Sequence, residues 1–151
     1  MNTETNKRTV RRVFEEAFTR GDLDAVDACL APDAVDRHPF ADDEPNFRAH
    51  LKGNIRMLRA ALPDLEASVE DLIAEGDRVA ARVHLTGTHT GAPLFGTAAT
   101  GARIAVEQFH IVQCDEQARG IRHWAYVGID QLQQPVATAP AAARSASPSG
   151  W

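Results

Sequence analysis

Residues 65–85, LEASVEDLIAEGDRVAARVHL, decide the fold. Leu65, Ala67 and Val69 alternate with Glu66, Ser68 and Glu70, the period of a half-buried strand. Glu75, Gly76 and Asp77 make a turn, and Val79, Ala81, Val83 and Leu85 then alternate against Ala80, Arg82, His84 and Thr86. Upstream the period is helical. Val10, Val13, Phe14, Ala17 and Phe18 fall on one face of a helix from Asn6 to Arg20, with Gly21 where a C-terminal cap belongs. Asp22 can cap a short second helix presenting Leu23, Val26 and Leu30, which Pro32 ends. Residues 33–45 are polar and broken by Pro39 and Pro45. Pro45 fits the first turn of a third helix with the stripe Phe47, Leu51, Ile55, Leu58 and Leu62, stopped by Pro63. Downstream, Gly87, Gly91, Pro93, Gly96 and Gly101 mark a loop-rich excursion. Ile104–Gln113 and Ile121–Val127 follow as a hairpin around residues 115–120. Helices followed by an antiparallel sheet are an α+β arrangement.

The chain of 151 residues accommodates one domain, residues 1–135. Residues 136–151 are mostly Ala, Pro and Ser, a composition that does not repay the entropy of ordering, and they are expected to form a disordered tail. The formal charge is −5, with sixteen basic residues scattered along the chain. That distribution argues against a nucleic-acid surface or an anionic membrane and favours a small neutral or organic ligand. No apolar run of 18 residues and no leader-type pattern at Met1 occurs, so the expected location is cytoplasmic. Cys29 and Cys114 are far apart, without zinc-type spacing, and suit a reducing compartment as packing residues.

The chemistry concentrates in residues 106–127. Gln108 and His110 are two apart on a strand and so share a face with Val106 and Val112. An imidazole and a carboxamide among β-branched residues describe either a pocket for an apolar substrate with a few polar handles or an ordinary satisfied core histidine. On the next strand, parity decides whether His123 or its neighbours Trp124 and Tyr126 look inward. Other groups carry less. His84 and His89 lack the spacing of a metal site, and no metal is expected. Lys52 lies off its helix's apolar stripe, where solvation is favoured over Schiff-base chemistry. Arg82 is placed to pair with Glu107 across neighbouring strands, and GTHTG at 87–91 has no helix after it to make a phosphate loop.

Three segments carry a resemblance: VDRHPF at 35–40, ALPDLEASVEDLIAEGDRVAARVHLTGTHTG at 61–91 and GIRHWAYVGIDQLQQ at 120–134. Over roughly Val10 to Gln134 the chain resembles the SnoaL-like polyketide cyclases of the NTF2-like group. The resemblance implies a cone in which a curved antiparallel sheet wraps the long helix and the open end holds a pocket. It further implies a cofactor-free enzyme closing a ring of an aromatic polyketide, in antibiotic-type secondary metabolism, by an intramolecular aldol reaction. By motif, Gln108 and His110 match a Gln and a His of the penultimate strand, and His38 matches a histidine that closes the pocket. Such cyclases carry an aspartate just after the tryptophan or four residues beyond it, where this chain has Ala125 and Gly128. Asp130 is out of register by two. A neutral imidazole can abstract a proton as a carboxylate does, so His110 or His123 is the candidate replacement. Asp36 is a carboxylate able to orient an imidazole or act itself, or merely to cap the turn at Pro39. Gln108, His38, Trp124 and Tyr126 are candidate substrate-binding groups. Two alternatives stand beside the cyclase: a partner in polyketide ring hydroxylation acting with a separate reductase, and a ligand-binding domain without turnover. A partly apolar outer sheet face implies self-association, most simply a homodimer.

Overall fold

The computed structural model describes residues 2–37 and 46–128. The first helix, α1 (Thr3–Arg12), starts earlier than the apolar pattern predicts, because the Asn2 side chain accepts from the N–H groups of Glu4 and Thr5 at 3.0 and 3.1 Å. It runs on as a π-helical stretch, Val13–Thr19. Gly21 closes it at φ +77°, and the Arg59 guanidinium packs where a Cβ would stand. Arg59 also donates to the carbonyls of Phe18 and Thr19, tying the end of this helix to α3 (Phe47–Ala61).

Between the helices lies a departure from expectation. Helix α2 (Asp24–Cys29) leads straight into a strand, β1 (Leu30–Asp36), where a broken polar segment was expected from residue 33. Pro32 and Asp33 hide its alternation, and a register shift lies between Leu30 and Val35. Proline's missing N–H is tolerated because β1 is an edge strand. Residues 38–45, with His38, Pro39 and Pro45, lie outside the described residues. Helix α3 is capped by Asn46, whose side chain accepts from the Ala49 N–H at 3.0 Å.

The sheet contains β2 (Glu66–Glu75), β3 (Arg78–Thr88), β4 (Arg103–Cys114) and β5 (Gly120–Val127), in the order β1-β5-β4-β3-β2. The β2–β3, β3–β4 and β4–β5 pairs are antiparallel, and β1 pairs parallel with β5. An irregularity between Val69 and Asp71 shifts the register of β2, which runs five residues beyond its first alternating run. The excursion at 89–102 is pinned by a fully buried His89. Its Nδ1 accepts from the Thr100 N–H at 3.3 Å, and its Nε2 lies 3.0 Å from the Ala92 carbonyl. This loop then donates the N–H groups of Gly91 and Ala92 to the carbonyls of Ala61 and Ala60, capping the C-terminus of α3. The helices pack on the inner face of the curved sheet, where Val79, Val83, Leu85, Ile104 and Val106 meet Phe14, Ala17, Ile55, Leu58 and Leu62.

Candidate active site

The register of three strands assembles the polar groups. Parallel pairing sets Asp36 of β1 opposite His123 of β5, and antiparallel pairing sets Val112 of β4 opposite His123 and His110 opposite Ala125. Alternation then turns Gln108, His110 and His123 inward, together with Val112, Ala125 and Val127. Trp124 and Tyr126 go the other way. Arg78 lies 5.0 Å over the Trp124 ring, and Tyr126 is 70% exposed on the outer face. The expectation that these two aromatics bind substrate is therefore corrected: inward parity belongs to His123 and excludes its odd-step neighbours from the cavity.

Four side chains form one continuous hydrogen-bonded chain. Asp36 Oδ1 lies 2.9 Å from His123 Nδ1, His123 Nε2 lies 2.9 Å from His110 Nδ1, and His110 Nε2 lies 3.0 Å from Gln108 Oε1. All four are buried. Phe47 stacks on His123 at 4.5 Å between ring centroids and 9° between planes, and Phe14 lies 5.0 Å from His110. Burial, and then the neighbouring charge of His123, pushes His110 down to about 3 against a smaller upward pull from Asp36, so this ring is neutral at working pH.

Two proton arrangements satisfy the chain. With Gln108 Oε1 accepting from His110 Nε2–H, His110 Nδ1 accepts from His123 Nε2–H, and one further proton lies between His123 Nδ1 and Asp36 Oδ1. With the Gln108 amide turned over, its Nε2–H donates to His110 Nε2, and each imidazole passes one Nδ1–H along the chain to the Asp36 carboxylate. Both rings are then neutral. Either way, neither imidazole keeps a ring nitrogen outside the chain, which strand parity alone does not predict.

The chain lines a cavity of about 340 Å³ whose other walls are mainly apolar, from Val10, Val13, Phe14 and Phe18 of the first helix to Leu51 and Leu58 of α3. The π-helical widening lies on this wall, where it carries Phe14 and Phe18, whose rings stack 5.5 Å apart. Two polar residues of α3 also reach the cavity, and sequence reasoning passed over both. His50 Nε2 is 3.1 Å from Asn54 Nδ2 and 3.6 Å from Asp36 Oδ2. The signal was present, since His50 and Asn54 sit one turn apart beside Leu51 and Ile55 on the buried stripe. Lys52 is instead bonded to Asp27 at 2.8 Å, and Arg82 bridges Asp71 and Glu107 as an exposed cross-strand cluster. His38 lies outside the described residues, and so does Asp130. Among the described residues no three His, Cys, Asp or Glu side chains are grouped to hold a metal ion, and no helix is long and apolar enough to cross a membrane.

Helices on the inner face of a five-stranded, mostly antiparallel curved sheet, with a cavity between the layers, define an NTF2-like cone. The chain belongs to the SnoaL-like polyketide cyclase family, whose model matches residues 8–134. Among solved structures it is similar to TsrD from Streptomyces laurentii, at 23% identity over 89% of this chain and 96% of that one, with a TM-score of 0.77. It is likewise similar to the proposed hydroxylase AclR from Streptomyces galilaeus, at 24% identity over 92% and 100% of the two chains and a TM-score of 0.77. The proposed polyketide cyclase IdmH from Streptomyces antibioticus shares 28% identity over 85% and 98%, with a TM-score of 0.70. Among curated protein sequences none matches this chain.

Proposed function

We propose that this protein is a cofactor-free polyketide cyclase that closes a ring by an intramolecular aldol-type reaction, as the founding members of its family are understood to do. The observation that carries the reading is the Asp36–His123–His110–Gln108 chain set into the wall of an otherwise apolar cavity. Removing a proton from a carbon flanked by carbonyls needs a base within about 3 Å. A single buried imidazole with its conjugate acid near 3 is a weak base. A relay does better. His110 Nε2 takes the proton as the substrate replaces Gln108 there, His110 Nδ1–H passes to His123 Nε2, and His123 Nδ1–H passes to Asp36 Oδ1. The carboxylate loses its charge as the enolate gains one, and no lone imidazolium is left in the apolar wall. Asp36 on β1 thereby does from a distance what the family aspartate would do at position 125 or 128. The amide of Gln108, freed at its inner end, hydrogen-bonds the enolate oxygen, and the apolar walls keep that interaction strong.

The test is product mass after incubation with a tricyclic aromatic polyketide ester. The expected product is an isomer of unchanged mass, formed by the protein alone and lost in His110→Ala. A second reading rests on the absence of an acid at Ala125 and Gly128 and on the likeness to AclR. A product heavier by one oxygen, formed only with a reductase and reduced nicotinamide, would replace the cyclase by a hydroxylation component. Bound ligand without any product in either protein would leave a binding domain.

We also propose a homodimer. Ile73, Phe109, Ile111 and Tyr126 are exposed on the outer face of the sheet around Trp124, and the ion-paired cluster Asp71, Arg82 and Glu107 borders them. An apolar centre with a rim of both charges can match a second copy of itself.

A further inference from the structure

An aldol closure moves a proton twice, off carbon and then onto the oxygen of the carbonyl that is attacked. The relay above handles the first movement only. Asp36, at its far end, stands between two imidazoles: Oδ1 is 2.9 Å from His123 on the sheet, and Oδ2 is 3.6 Å from His50 on α3. The second gap exceeds a hydrogen bond by a few tenths of an ångström, a distance that a rotamer adjustment closes. His50 and Asn54 are polar intrusions on a helix face otherwise given to Phe47, Leu51, Ile55 and Leu58. An imidazole and a carboxamide on such a face cost stability relative to apolar residues of the same shape. Both line the cavity. Asn54 Nδ2 lies 3.1 Å from His50 Nε2, and with that amide turned over its Oδ1 accepts Nε2–H and holds the imidazole beside Asp36.

Resting on the cyclase reading, we propose that His50, held by Asn54, is the acid that returns the proton to the newly formed alkoxide, and that Asp36 joins the two halves of one proton circuit. As the carbon–carbon bond forms, the carbonyl π pair moves onto oxygen. That oxygen takes Nε2–H from His50 in its protonated form beside the Asp36 carboxylate. Meanwhile the carbon's proton has reached Asp36 through His110 and His123. After a half-turn of the carboxyl group, Asp36 gives that proton to His50, so the proton count is restored. The two imidazoles of the relay, left as Nε2–H tautomers, regain Nδ1–H once product has left, as one proton departs to solvent from His110 Nε2 and one enters at Asp36. The substrate has exchanged a C–H for an O–H, which is the balance of an aldol addition.

Running the reaction in D2O with the tricyclic polyketide ester separates the two halves. One readout is deuterium entering the acidic carbon of recovered substrate, and the other is ring-closed isomer. In His50→Gln closure is expected to fall by about 10²–10⁴-fold, the usual worth of a positioned acid, while exchange stays within about threefold of the intact protein. Asn54→Leu should show the same split, with closure down by roughly tenfold. His110→Ala should lose both. Should His50→Gln not fold, His50→Asn carries the comparison. Closure unchanged in folded His50→Gln, or exchange and closure lost together, overturns the proposal. An intact protein that neither exchanges nor closes the substrate takes down the cyclase reading and this inference with it.

Discussion

At the scale of single residues, Asp36, His123, His110 and Gln108 spend their hydrogen-bonding groups on one another. Removing the terminal carboxylate is therefore expected to cost rate and fold together. Asp36→Asn should lower ring closure by about 10²–10⁴-fold. In urea denaturation it should lose about 1–3 kcal/mol, because a buried imidazole is left facing an amide. His110 gives a prediction in pH. Its folded value, near 3, lies below the 6.5 of an unfolded histidine, so between those values the unfolded chain binds a proton that the fold excludes. Stability from this residue is complete above about pH 6.5 and is lost as pH falls toward 3. Melting curves of the intact protein and His110→Gln across pH 4–7 should converge on acidification, with the intact protein losing more. Parallel curves would mean that His110 accepts a proton in the folded state.

At the scale of elements, position follows from parity and from how ends are capped. Trp124 and Tyr126 lie outside because one residue of register decides a whole strand's facing, and the Asp36–His123 pairing settles it in favour of the histidine. The loop at 89–102 has no regular structure, yet it satisfies the last carbonyls of α3 and so holds the helix that carries His50. A Cβ on Gly91 would lie 2.0 Å from the Ala60 carbonyl oxygen, which is backbone and cannot yield. Gly91→Ala is therefore expected to lose about 1–3 kcal/mol, read as a lower urea midpoint at unchanged slope. The π-helical wall is equally committed: Phe14 touches His110 and lines the cavity. Phe14→Ala should cost about 3–5 kcal/mol, with Tm as the check.

At the scale of the whole molecule, the outer sheet face is the surface left to explain. Tyr126 is 70% and Ile73 69% exposed, a poor arrangement for a chain that works alone. Sedimentation equilibrium is expected to give twice the chain mass for the intact protein and a single chain for the double variant Phe109→Glu, Tyr126→Glu. A monomer in both would refer the patch to another partner.

The alternation in 65–85, the helical stripes at 10–18 and 47–62 and the turn residues between them were enough for an α+β sheet-and-helix architecture, because each is a local repeat whose period is set by backbone geometry. The same strand arithmetic was enough to set Gln108 and His110 on one face. Residues 30–36 were not legible as a strand, since Pro32 and Asp33 interrupt their pattern and the strand exists through its pairing with β5. Nor could local pattern show that Asp36 meets His123 across 87 positions, that His110 has both nitrogens occupied, or that His50 faces the same carboxylate. Local sequence determines which way a side chain alternates. Which side chains then meet is decided by strand register and helix packing, and those follow from the burial of the chain as a whole.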